Sequence, residues 1–210
     1  MIIGVDFDNT IVCYDGLFRK LAVQQGLTPG NVPESKNAVR DHLRQIGEED
    51  RWTELQGQVY GPGMREARLF PGVREFFDRC RCAGRELFII SHRTRYPFLG
   101  QRHDLHQAAR DFLAAHGFND AARIGLAADH IHFHETKEEK LAQIRQVGCT
   151  HFIDDLPEIL TAAALRANVE GILFDPKGQH ADCPGLRRVG SWRAIEDYLL
   201  GRVRDCAETT

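Results

Sequence analysis

The chain has 210 residues, of which 42% are hydrophobic and 27% charged, and its formal net charge is −3. That is enough chain for one large domain with a real core, and too apolar a composition for a disordered one. No broad basic face of the kind that binds nucleic acid is expected, and no apolar run approaches the length of a membrane span. The six cysteines, Cys13, Cys80, Cys82, Cys149, Cys183 and Cys206, are scattered. Only Cys80 and Cys82 are close, and their spacing fits neither a zinc knuckle nor a redox pair. Reduced thiols in a cytoplasmic protein are the expectation. The start, MIIGVD, lacks the basic and apolar regions of a secretory signal.

In chain order, residues 2–7 form a short apolar run, the pattern of a strand buried on both faces. Residues 13 to about 69 then break the rhythm. They read as polar and helical, in "YDGLFRKLAVQQG", "SKNAVRDHLRQIG" and "RWTELQGQVYG", with no strong strand among them. A helix is predicted after Pro71, with Val73, Phe76 and Phe77 at helical spacing and Gly84 as its end. "ELFIIS" (86–91) is the next buried strand, and residues 106–116 a helix stopped by Gly117. "HIHFHE" (130–135) alternates as a strand does. Thr136 to Glu139 is a capping box opening a helix to about Val147. "THFIDD" (150–155) and the weaker "GILF" (171–174) are strands, and a last helix spans 191–203, with a frayed tail after Arg204.

Strands alternating with helices predict an α/β fold, a mostly parallel sheet with helices on both faces. The sheet unit is expected over residues 1–12 and 70–210, with a helical insertion over 13–69. In such sheets ligands bind outside the carboxyl ends of the strands, at the switch point in strand order. Three of the predicted strands end in reactive groups: Asp6 with Asp8, Ser91, and Asp154 with Asp155. A fourth run is followed at once by Lys137. A shared site accounts for that habit, and the insertion directly after the first strand would overhang it.

Two like charges at Asp6 and Asp8 are costly to bury together. A divalent cation stabilises clustered carboxylates and lowers their pKa values, and Mg²⁺ suits oxygen ligands and a phosphate. In such a site Asp6 would attack phosphorus, and Asp8 would protonate the leaving group and then activate water. Ser91 and Lys137 would hold phosphate oxygens. Arg93 and Arg95, just past Ser91, are further candidates for meeting substrate. In the insertion Arg19, Lys20, Arg40, Arg44, Trp52 and Tyr60 are candidates too, most of them expected on solvated faces. His130, His132 and His134 share one face of a strand, but no second cluster completes a tetrahedral metal set, so structural roles are expected for them.

These residues resemble the haloacid dehalogenase (HAD) superfamily, and within it the phosphatases. "DFDNT" (6–10) matches the family's first motif, "FIIS" ending at Ser91 the second, Lys137 or alternatively Lys140 the third, and "FIDD" ending at Asp154-Asp155 the fourth. The motifs come in the family's order. The resemblance implies a Rossmann-like core with a small C1-type helical cap over 13–69. It also implies Mg²⁺-dependent hydrolysis through an aspartyl-phosphate, with Asp6 as nucleophile and Asp8 as acid/base. Metal contacts would come from the Asp6 side chain, the Asp8 main-chain carbonyl and a fourth-motif aspartate. Asp155 is favoured as the direct ligand, with Asp154 acting through water or orienting Lys137. The expected substrate is a small phosphorylated metabolite, a sugar phosphate or nucleoside monophosphate. Transfer to an acceptor other than water, or a non-catalytic binding role, are the alternatives. Dehalogenation is disfavoured, because it needs no acid at position 8 and no metal.

Overall fold

The structure is a computed structural model that describes residues 1–162, 165, 168–180 and 183–201. Cys206, the predicted helix end at Val203 and the tail after Arg204 lie outside the described residues.

The first strand, β1 (Ile2–Val5), is followed by a tight turn and the short β2 (Val12–Cys13). Three helices come next: α1 (Asp15–Gln24), α2 (Lys36–Gln45) and α3 (Glu49–Tyr60). A 3₁₀ turn over Pro62–Glu66 leads to β3 (Arg68–Leu69), which pairs antiparallel with β2. This two-stranded pair, not expected from sequence, brackets the three helices. Each strand is only two residues long, too short to leave an alternating pattern.

The chain then alternates. Helix α4 (Val73–Cys82) precedes β4 (Glu86–His92), and α5 (Leu105–Ala115) precedes β5 (Ile131–His134). Next come α6 (Lys137–Gln146), β6 (His151–Asp154), the single-turn α7 (Pro157–Leu160) and β7 (Glu170–Phe174). A further strand, β8 (Arg187–Val189), and α8 (Trp192–Leu200) complete the described chain. Sequence periodicity does not reveal α7 or β8, because both are too short and β8 is mostly exposed.

Six strands form one parallel sheet in the order β5-β4-β1-β6-β7-β8. From β1 the chain steps outward one way to β4 and β5, then crosses to β6, β7 and β8 on the other side. The switch in direction puts the carboxyl ends of β1, β4 and β6 together, the place where such sheets bind ligands.

Helices cover both faces. On one, Ile3, Val5, Ile89 and Ile153 pack with Phe76, Phe77 and Trp192 of α4 and α8. On the other, Phe88, Ile90 and Phe152 pack with Ile144 of α6 and with Ile159 and Leu160 of α7. The strands are thus buried on both faces, as their unbroken apolar runs predict. Gly4 is needed in β1: a Cβ there would stand 2.5 Å from the Phe152 ring and 2.9 Å from Cys149 Sγ.

The insertion has its own apolar seam, continuous with the first core. The Phe18 and Trp52 rings stack at 5.0 Å, and Tyr14 meets Tyr60 edge-on at 5.1 Å. Trp52 is therefore a packing residue rather than a substrate contact. Helix α3 also presses on the loop after β4, where a Cβ on Gly57 would stand 2.8 Å from Pro97 Cβ.

Candidate active site

Past Val5 the chain stays extended for one residue, and the Asp6 N–H donates to the Ile153 carbonyl at 2.8 Å. It then turns back. Ile11 and Val12 N–H groups both donate to the Phe7 carbonyl, at 3.0 and 3.1 Å. Asn9 takes φ of 60°, a left-handed value that asparagine tolerates better than most residues. Phe7 is fully buried against Phe112 and Phe133. Alternation along the chain then turns Asp6 and Asp8 away from it, toward the cleft that both of them line.

Asp6 Oδ1 accepts two hydrogen bonds, from Ser91 Oγ at 2.8 Å and Lys140 Nζ at 2.6 Å. The Lys140 ammonium also reaches Asp154 Oδ2 at 2.6 Å. Its side chain is 2% exposed, so this is a buried lysine held between two carboxylates. Burial would lower its pKa, but Asp154 and Asp6 outweigh that and raise it. Asp154 Oδ1 in turn accepts from the Leu156 N–H at 2.9 Å, which fixes the turn into α7.

The lysine expectation is corrected here. Lys137, the favoured residue, pairs with Glu158 at the rim of the cleft with its side chain 45% exposed. The reason lies in helix geometry. A helical side chain leans back toward the helix N-terminus, over the preceding turn. Lys137 is the first residue of α6, so it leans past the strand ends. Lys140, one turn later, leans onto them.

Arg93 also lies elsewhere than expected. Its guanidinium is buried, and it donates to Asp8 Oδ1 at 2.6 Å, to the Tyr60 carbonyl at 2.7 Å and to the Leu105 carbonyl at 3.1 Å. It stacks near the Phe7 and Tyr60 rings, at 5.5 and 5.1 Å. Burial works against its charge, yet Asp8 and Tyr14 raise its pKa. Its donors are committed to Asp8, to the end of α3 and to the start of α5, so it braces the acid rather than presenting a free fork to substrate. The Tyr14 hydroxyl donates to the same Asp8 oxygen. Arg95 is exposed and paired with Asp104 at 3.0 Å.

Oxygens of Asp6, Asp154 and Asp155 lie within 4.8 Å of one another. Burial and the charges of Asp154 and Asp8 push the Asp6 carboxyl up to about 7, against the pull of Lys140. Burial, Asp154 and Asp6 likewise raise Asp155 well above the usual carboxylate range. Fully ionised, the three carboxylates would outnumber the Lys140 ammonium that lies among them. Three carboxylates, all oxygen donors and short of positive charge, fit a hard divalent cation such as Mg²⁺. Asp155 is the better direct ligand, since both Asp154 oxygens already accept hydrogen bonds. The Asp8 carboxylate stands outside this cluster, held by Arg93 and Tyr14.

A cleft of about 520 Å³ opens over these groups between the strand ends and the insertion. Arg40, Gln56 and Tyr60 line it from the insertion, as does Lys36, which was not singled out from sequence. A lysine at the start of a polar helix carries no signal of its own. The candidates Arg19, Lys20 and Arg44 form exposed pairs with Glu34, Glu66 and Glu49 instead. The histidines of β5 form a packed row: His130 stacks on Phe88 at 4.2 Å, and His132 on His134 at 6.2 Å. Burial lowers the pKa values of His132 and His134.

No family model matches the chain, and no curated protein matches its sequence. Solved structures do. A HAD hydrolase of family IA, variant 3, from Entamoeba histolytica superposes with TM-score 0.58 at 13% identity, over 92% of this chain and 94% of that one. A HAD family hydrolase from Deinococcus radiodurans, with bound phosphate and sodium, gives 0.57 at 17% identity, over 94% of both chains. A dehalogenase gives 0.54 at 13% identity, over 94% of this chain and 96% of that one. The protein has the Rossmann-like α/β fold of the HAD superfamily, which at these identities hosts more than one chemistry.

Proposed function

We propose that the protein is a Mg²⁺-dependent phosphohydrolase acting on a small phosphorylated metabolite, a sugar phosphate or nucleoside monophosphate, with an aspartyl-phosphate intermediate. The observation that carries this reading is the division of labour between two adjacent carboxylates. Asp6 is bonded through one oxygen to Ser91 and Lys140, and Asp8 is held beside it by Arg93 and Tyr14. Displacement of a halide would need Asp6 alone; a braced second carboxylate suits a reaction that must move protons. The fold's neighbours include a hydrolase whose structure holds phosphate.

With Oδ1 engaged, Asp6 attacks phosphorus through Oδ2, forming an O–P bond as the ester P–O bond breaks. Asp8 gives its proton to the departing oxygen, then takes one from the water that hydrolyses the aspartyl-phosphate. Ser91 and Lys140 stay on the attacking carboxylate and beside the phosphoryl oxygens, where charge accumulates. Bound Mg²⁺, held by Asp6 and Asp155 with the Asp8 main-chain carbonyl, would supply further positive charge at the phosphoryl group. The insertion acts as a cap that closes the cleft over a small substrate. Cys13, Cys80, Cys82 and Cys149 form no disulfide among the described residues, in keeping with a reducing compartment such as the cytoplasm.

The test is phosphate release from a panel of sugar phosphates and nucleotides, with wild type beside Asp6→Asn and Asp8→Asn. Release that requires Mg²⁺ and is lost in both variants is the expected result. A folded, Mg²⁺-loaded wild type that releases nothing across the panel overturns it.

A further inference from the structure

Most cations around the cleft already have a carboxylate. Lys140 lies between Asp6 and Asp154, Arg93 is on Asp8, Lys137 on Glu158 and Lys177 on Asp15. Lys36 differs. Among the described residues its Nζ has no carboxylate within ion-pair distance and stands instead over the Phe18 and Tyr60 rings, at 5.9 and 5.6 Å. Burial opposes its charge, but Tyr60, which also hydrogen-bonds it, and the Asp8 and Asp155 carboxylates raise its pKa. A desolvated ammonium held by a neutral hydroxyl and aromatic rings rather than by an anion is costly, and an anion that enters the cleft relieves the cost.

The position is also built rigidly. Ser35 Oγ caps α2 by accepting from the Ala38 N–H at 3.0 Å, and the Lys36 N–H donates to Asp15 Oδ1 at 3.2 Å. One turn on, Arg40 lines the same cleft and pairs with the exposed Asp41. Such an exposed pair is weak and gives way readily to a better-placed anion. Ser91 and Lys140 serve the Asp6 end of the cleft. Lys36 and Arg40 come from the insertion, where the rest of the substrate must lie.

We propose that Lys36, backed by Arg40, recognises a second anionic group on the substrate, a carboxylate or a phosphate remote from the phosphoryl group that Asp6 attacks. The substrate is then a phosphate ester bearing another anion rather than a neutral sugar phosphate. This rests on the phosphohydrolase reading for what occupies the Asp6 end.

Calorimetric titration with non-hydrolysable probes tests it without turnover. The probes are n-propylphosphonate, 3-phosphonopropionate and propane-1,3-diyl bisphosphonate, each with Mg²⁺ present. Wild type is expected to bind at least one of the two doubly anionic probes about tenfold or more tighter than n-propylphosphonate, and the tighter of them identifies the group. Lys36→Gln should bring the three within about threefold of one another and leave n-propylphosphonate unchanged, while Lys36→Arg should keep the preference. Equal binding of all three probes by wild type overturns the proposal. So does a Lys36→Gln protein that loses affinity for all three alike. A protein that shows the preference yet hydrolyses nothing sinks the enzymatic reading and leaves this one standing.

Discussion

Lys137 and Lys140 are one helical turn apart, and only the later one lies among the carboxylates. Removing it leaves Asp6 and Asp154 buried without a counter-charge, which costs about 3–5 kcal/mol in stability. Lys140→Met should therefore unfold at clearly lower urea and release phosphate about 10²–10³-fold more slowly. Lys137→Met breaks an exposed pair of a kind worth about 0–1 kcal/mol, so its rate should stay within about fivefold of wild type. Equal losses in the two variants would contradict the assignment. Arg93 makes the same point in another way. Its place after the Ser91 strand end was legible, but its role was not: three of its four acceptors are an aspartate and two backbone carbonyls from distant turns, and no sequence pattern encodes that convergence.

Each element of the site owes its placement to local chemistry at its own end. Thr136 Oγ1 accepts from the Glu139 N–H while the Glu139 carboxylate accepts from the Thr136 N–H, so the capping box read in the sequence forms and sets the phase of α6. At the end of β7, Asp175 accepts from the Gln179 and His180 N–H groups at 2.9 and 3.0 Å and so folds the loop that lines the cleft. Burial would raise its pKa, but those backbone donors, with His180 and Arg188, hold it below the usual value. A carboxyl depressed in the folded state adds stability above its unfolded pKa, near 3.9, and loses it as pH falls through the folded value. Asp175→Ala should thus cost about 1–3 kcal/mol at pH 7, and the gap from wild type should narrow below about pH 4. A gap that widens toward acid would refute this account of the loop.

Across the whole molecule, the strand switch and the insertion together make a cleft whose carboxylate cluster is unbalanced in charge. That imbalance predicts opposite responses with and without metal. In a chelator, Asp155→Asn should raise the melting temperature, because it removes one of the mutually repelling carboxylates, a half-buried one. With Mg²⁺ at about 100 times its Kd, wild type should gain about 2.7 kcal/mol, or roughly 5–10 °C, and the variant little of it. Thermal melts with Mg²⁺ and with EDTA decide this, and an equal Mg²⁺ shift in both proteins would remove Asp155 from the ligand set. No helix among the described residues is long and apolar enough to cross a membrane.

The sequence by itself determined the alternation of strands and helices, because apolar runs of strand length and helical spacing are local patterns. It also determined which strand ends carry reactive groups, since Asp6, Asp8, Ser91, Asp154 and Asp155 each follow directly on such a run. What only the tertiary structure decided are the relations between distant segments. They include which lysine reaches Asp6, the bracing of Asp8 by Arg93 and Tyr14, the two-stranded pair that closes the insertion, and the place of Lys36 in the wall of the cleft. These depend on side-chain direction and on burial created by residues tens of positions away. Charge balance is the physical reason sequence alone does not show them: a buried cation's meaning is set by the partners that folding brings to it, and among the described residues folding gives Lys36 aromatic rings and Tyr60 but no carboxylate in ion-pair contact.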